Sequence, residues 1–168
     1  SEDIVTERKS GTLERLMTTR LTKGELLAGK FLAFTSRTFA QLVLLFLVGW
    51  AWFKLFTPVS FAQTMLFSLA VAGAGGAFGL LIAAVARSQE QAVWGSVIIA
   101  NVSAMLGGSF VAIDPNSIVG KIGKFTLNYY ANQGYRALIR QGTGFASPDV
   151  RTSFLVLLAA AVALLALA

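Results

Sequence analysis

The side chains able to carry charge-based chemistry crowd the start of the chain, in Glu7-Arg8-Lys9-Ser10-Gly11-Thr12-Leu13-Glu14-Arg15-Leu16-Met17, followed by Gly29-Lys30 just before a long apolar run. At helical spacing Leu13, Leu16, Met17 and Leu21 share one face, while Glu14, Arg15 and Arg20 point elsewhere. A rod of this kind lies flat on a membrane surface or offers a partner protein an apolar ridge edged with charge. Composition alone favours a basic helix held by anionic lipid.

Other chemistries are excluded by residue type. There is no Cys and no His, so the chain builds neither a thiolate or imidazole metal site nor a Cys or His nucleophile-base pair. We assign no catalytic residue, no metal ligand and no cofactor. Gly24-Glu25-Leu26-Leu27-Ala28-Gly29-Lys30 satisfies most of a phosphate-loop pattern, but Phe31 stands where Ser or Thr would hold Mg²⁺ and the intervening residues are helix formers. ATP hydrolysis must therefore come from elsewhere if the protein uses it. The net charge of +6 does not point to nucleic acid, because the basic residues flank apolar runs instead of forming a stripe with stacking aromatics. An intramembrane enzyme needs paired acids or a Ser-Lys or Ser-His set, whereas the apolar runs carry Arg37 as their only charge.

Three uncharged polar residues inside the apolar runs, Gln41, Asn101 and Ser103, are candidates to face a pathway, although interhelical hydrogen bonds explain them equally well. Gly75 and Gly79, supported by Gly73 and Gly76, form a small-xxx-small pair. Such a pair serves helix packing or a sliding or dimer face.

The elements that must position these residues are membrane helices. In 168 residues, 55% are hydrophobic and 13% charged, with a mean hydropathy of +0.68, far from a water-soluble domain. We expect an all-α, polytopic transmembrane helical bundle of about four spans, at 31–53, 61–86, 92–113 and 152–168. Thr22 with Glu25, Ser60 with Gln63, and Ser88 with Gln91 read as capping boxes ahead of the first three. Ser147-Pro148 reads as the start of the fourth. Arg37 lies near the start of its span, from where its stem reaches water or a polar cavity. Residues 114–151 form a re-entrant or interfacial segment: Ile118, Ile122, Phe125 and Tyr129 fall at helix-like spacing, and all three tyrosines, Tyr129, Tyr130 and Tyr135, lie there. The opening at Ser1 and the apolar close at Ala168 suggest a piece of a longer protein.

The order Glu7-Arg8…Gly11-Thr12-Leu13-Glu14-Arg15-Leu16, then Gly29-Lys30 before a span, resembles the permeases of ABC-2 type ATP-binding-cassette exporters. The layout of the spans is similar to theirs along the whole chain. The sequence departs from the family at Arg20, where Pro is common, and at Leu127 and Tyr130, where Pro and Trp are common. The resemblance implies that residues 1–30 are a cytoplasmic coupling loop in which Glu7, Arg8, Gly11, Thr12, Leu13, Glu14, Arg15 and Leu16 dock on an ABC ATPase subunit. It implies a second permease subunit, a place in the lipid bilayer of a bacterial or archaeal cytoplasmic membrane, an outer location for 114–151, and two earlier spans ahead of the loop. A channel or structural anchor without an ATPase is the alternative.

Overall fold

A computed structural model describes residues 23–53, 58–110, 117–141 and 144–167. They form α1 (Lys23–Phe53), α2 (Pro58–Val85), α3 (Gln89–Leu106), α4 (Ile118–Gly123), α5 (Leu127–Arg136), a π-helical turn (Ala137–Gln141), a 3₁₀ turn (Gly144–Ala146) and α6 (Pro148–Leu167). The molecule is an all-α helical bundle. Among the described residues, three helices are long and apolar enough to cross a membrane, over Gly24–Trp52, Ser60–Val85 and Pro148–Leu167.

Helix boundaries follow local chemistry. Helix α1 starts at Lys23, eight residues ahead of the expected span, because Glu25, Leu26, Leu27, Ala28 and Lys30 are strong helix formers. Helix α2 begins at Pro58, whose ring is preorganised for the first helical position. Ser60 therefore sits inside the first turn instead of ahead of it. Ser88 does cap α3: its hydroxyl accepts from Gln91 N–H at 3.1 Å, while Gln91 Oε1 accepts from Arg87 N–H at 3.0 Å. Pro148 opens α6 as the sequence suggested.

Helix α3 holds only 18 residues and begins with Gln89-Glu90-Gln91, so it is about 27 Å long and stops seven residues short of the expected end at Ile113. Gly107 caps it, and Gly108 takes a φ of 74°, a left-handed conformation that turns the chain out of the helix. The aromatic and apolar spacing over Ile118–Tyr129 is likewise divided between two helices. Thr126 interrupts it by capping α5, accepting from Tyr129 N–H at 3.3 Å.

Helix α2 is the hub. It packs along α6 on one side and α1 on the other, and 44% of its candidate span is buried against 22% for α6 and 6% for α1. The centre of the core is Phe67, fully buried, with Ala70, Ala74, Leu138, Val150 and Leu157 around it. The Phe67 ring lies directly on Gly134 of α5, where a side-chain carbon would overlap it. Tyr135 meets the same ring edge-on, with centroids 5.1 Å apart. On the α1 side, Gly76 approaches Thr35 so closely that an added Cβ would lie 2.9 Å from its Oγ1. The outward surface remains apolar, with Leu44, Leu45, Trp52, Ile98 and Val162 all exposed, as a lipid-facing bundle requires.

Gly134→Ala is expected to lower stability by about 1–3 kcal/mol through overpacking against Phe67. Gly75→Ala, whose added methyl meets nothing within 4 Å, should leave stability unchanged or raise it by up to about 1 kcal/mol. Unfolding in detergent micelles by SDS titration measures both.

Candidate functional site

The short α3 creates a demand at its end. Helix α2, with 28 residues, is about 42 Å long, and a turn of three residues, Ala86 to Ser88, joins it to α3. The last turn of α3 therefore ends about 15 Å below the level where α2 begins. Non-helical backbone at membrane depth is tolerated only where protein or a polar cavity supplies partners.

Helix α5 supplies them. Asn128, Asn132 and Arg136 recur every four residues along one face. Asn132 Nδ2 donates to the Gly107 carbonyl at 2.9 Å and to Ser109 Oγ at 2.8 Å. Asn128 Nδ2 donates to Ser109 Oγ at 2.6 Å. The Arg136 guanidinium donates to the Gly108 carbonyl at 2.7 Å, placing positive charge at the negative end of the α3 dipole. A cavity of about 230 Å³ opens beside these contacts, lined in part by Leu106, Tyr129, Gln133, Arg136 and Asp149. Gln133 Nε2 donates to Asp149 Oδ1 at 3.2 Å, tying α5 to the first turn of α6.

A second joint fastens α5 to α2. The Ser68 hydroxyl donates to the Thr64 carbonyl at 2.7 Å, so its proton is engaged, and the Tyr135 hydroxyl 2.9 Å away donates to Ser68 Oγ. Burial pushes the Tyr135 phenol above its ordinary value, and the Ser68 contact works against that shift. The phenol remains a neutral donor at physiological pH. Its ring also meets Phe46 of α1 at 5.4 Å, so one side chain joins α1, α2 and α5.

Below this joint a cleft of about 460 Å³ separates α2 from α3 and α5. Gly75, Gly79 and Ser103 line it together. Among the described residues, a Cβ on Gly75 or Gly79 meets nothing within 4 Å; the tight approach belongs to Gly76. Gln41 is exposed on α1 and joins neither cavity. Asn101 is exposed and returns its amide to the Val97 carbonyl of its own helix at 2.8 Å. Arg37 is exposed on α1. Gly24–Lys30 are all helical, a conformation that cannot wrap phosphate. Among the described residues no three acids gather into a metal-binding group. Glu7, Arg8, Gly11, Thr12, Leu13, Glu14, Arg15 and Leu16 lie outside the described residues.

The sequence matches the family described as ABC-2 family transporter protein over residues 1–168. The chain belongs to the ABC-2 transporter family. Searches of curated proteins and of solved structures find no match. As an ABC-2 family protein with helices able to cross a bilayer, it is an integral membrane protein and a transport permease. The polar stripe on α5 belongs to a segment the permease sequence marked only by its aromatic and apolar spacing. Its signal was the four-residue recurrence of Asn128, Asn132 and Arg136.

Arg136→Met removes a charge-assisted hydrogen bond from a carbonyl that has no helical partner, and is expected to cost about 1.5–3 kcal/mol. Asn101→Leu, which loses only a bond within its own helix, should stay within about 0.5 kcal/mol. The same micellar unfolding assay separates the two.

Proposed function

We propose that the protein is the permease subunit of an ATP-driven ABC exporter, supplying half of the transmembrane pathway and receiving force from a separate ATPase. Residues 1–30 are the cytoplasmic side in this reading, with Glu7, Arg8, Gly11, Thr12, Leu13, Glu14, Arg15 and Leu16 docking on the ATPase. Residues 114–151 then lie at the outer face, and a second permease subunit, identical or different, completes the pathway. A bacterial or archaeal cytoplasmic membrane is the setting.

The observation that carries the reading is the continuity of α1. It begins at Lys23, seven residues after Leu16, and runs unbroken for 31 residues to Phe53. From Lys23, about 35 Å of helix leads to Phe46, in ring contact with Tyr135. Only 6% of its candidate span is buried, while the close approach of Gly76 to Thr35 passes a tilt of α1 on to α2. A displacement imposed at the loop therefore arrives at the joint that holds α5, and α5 holds the end of α3. The glycine-lined cleft opens and closes with that movement, which is how alternating exposure to the two faces follows from a push at one end.

Glu14→Ala and Leu16→Ala are expected to leave membrane insertion intact while lowering transport and permease-stimulated ATP hydrolysis about tenfold, the effect of losing one interface anchor worth about 1.4 kcal/mol. The measurement is substrate efflux and phosphate release in vesicles reconstituted with the cognate ATPase. Wild-type values for both quantities in both variants would remove the coupling assignment.

A further inference from the structure

The cavity at the end of α3 is lined by charges that the transport reading leaves unused. It measures about 230 Å³, and its lining includes Leu106, Tyr129, Asn132, Gln133, Arg136 and Asp149. That is below the roughly 300–1,000 Å³ of pockets for drug-sized ligands and matches the liquid volume of about eight waters, a size suited to a small solute or a lipid headgroup. Arg136 is the last residue of α5 and Asp149 lies in the first turn of α6. Opposite charges from two elements thus line one space. Both residues are exposed, and among the described residues no ion pair joins them.

The hydrogen bonds already made decide what each group has left to offer. Asn132 Nδ2 donates to the Gly107 carbonyl and to Ser109 Oγ, and Gln133 Nε2 donates to Asp149 Oδ1. A carbonyl and a carboxylate only accept, so these contacts fix the orientation of both amides and leave each with a carbonyl oxygen as acceptor. Together with the Asp149 carboxylate, that side of the cavity calls for a cation that brings its own donors. A primary ammonium brings three N–H groups. Arg136 makes the opposite demand. One of its nitrogens donates to the Gly108 carbonyl at 2.7 Å, and the rest of its planar N–H fork suits a carboxylate or phosphate. A lone anion would set its charge against Asp149 and a lone cation against Arg136, so the pair favours a ligand that carries both charges.

We infer that this cavity binds a small zwitterion, its primary ammonium held by Asp149, Gln133 and Asn132 and its oxyanion held by Arg136. Two sources carry that chemistry beside a membrane protein: the headgroup of an ethanolamine phospholipid and a free solute such as phosphoethanolamine. Bound there, the zwitterion ties the end of α5 to the start of α6 and steadies the guanidinium that holds Gly108. The site is independent of whether an ATPase drives the permease.

The test uses the complete protein, stripped of lipid in neutral detergent and titrated with two matched pairs of probes: phosphatidylethanolamine against phosphatidylcholine, and free phosphoethanolamine against phosphocholine. Native mass spectrometry counts the bound molecules, and the unfolding midpoint is followed in parallel. One molecule of an ethanolamine probe is expected to bind and to raise the midpoint, and the pair in which it does so names the source. Its choline counterpart, whose quaternary nitrogen has no N–H, should bind about tenfold more weakly. Asp149→Asn removes the charge while its amide oxygen still accepts from Gln133, and should weaken the ethanolamine probe about tenfold with the ligand-free midpoint unchanged. Arg136→Lys keeps a cation for the Gly108 carbonyl but loses the fork, and should weaken binding by a similar factor. Where Arg136→Lys also lowers the ligand-free midpoint, Asp149→Asn decides alone. Failure of both ethanolamine probes to bind, equal affinity for the choline counterpart, or unaltered binding in Asp149→Asn overturns the proposal.

Discussion

The carbonyl oxygens of Gly107 and Gly108 must find donors in a place where water cannot be relied on, and the arrangement of this end of the bundle follows from that requirement. Because α3 stops after 18 residues, its last turn is exposed as backbone within the thickness of the bundle. Asn132 and Arg136 answer it, and to do so α5 must enter the bundle instead of lying above it. That placement in turn requires Gly134, since Phe67 already fills the space where a side chain would go. Tyr135, the next residue, then falls against Ser68 and Phe46. A polar need on α3 is thus met through an apolar contact on α2.

This coupling of polar and apolar contacts explains the division of labour among the helices. The long helices are generic in sequence, with Ala, Leu and Val predominating in α6, and they supply depth and a central column in α2. Specific geometry is concentrated in the segment between α3 and α6. Several side-chain hydrogen bonds there link residues between 16 and 28 positions apart, from Gln133 with Asp149 to Arg136 with Gly108. In a transport permease such a segment is suited to respond as a unit, because loosening one donor leaves a backbone carbonyl in low dielectric and raises the cost of every partial rearrangement.

The helical, membrane-crossing character of the chain was readable from its residues, because hydropathy over twenty residues is a local property and so is a capping box such as Ser88 with Gln91. The end of α3 was harder to see. Gly107-Gly108 is embedded in an apolar stretch, and an average over that stretch hides two residues that turn the chain. The glycine-rich face of α2 shows a different limit. Gly75, Gly76 and Gly79 are equivalent in sequence, but successive helix positions are rotated by about 100°, and which of them meets α1 is decided by where Phe31 and Thr35 lie. The α5 stripe recurs with a period of four that the reading of the residues did not single out, and its partners, 19 to 28 positions earlier in the chain, leave no local signal. The charged segment from Glu7 to Leu16 carries a family resemblance in its order of residues, and the docking role proposed for it rests on that resemblance together with the unbroken α1 that follows.

The account stands on α5 reaching into the bundle to hold the end of α3, and the absence of native cysteine allows that to be tested in the membrane itself. Ser109→Cys combined with Asn128→Cys places thiols at two positions whose native side chains are 2.6 Å apart. Oxidation in native membranes is predicted to join them within the chain, detected as a mobility shift reversed by reductant. If both thiols label with a maleimide yet never form that bridge, α5 does not hold the end of α3 and the account is contradicted.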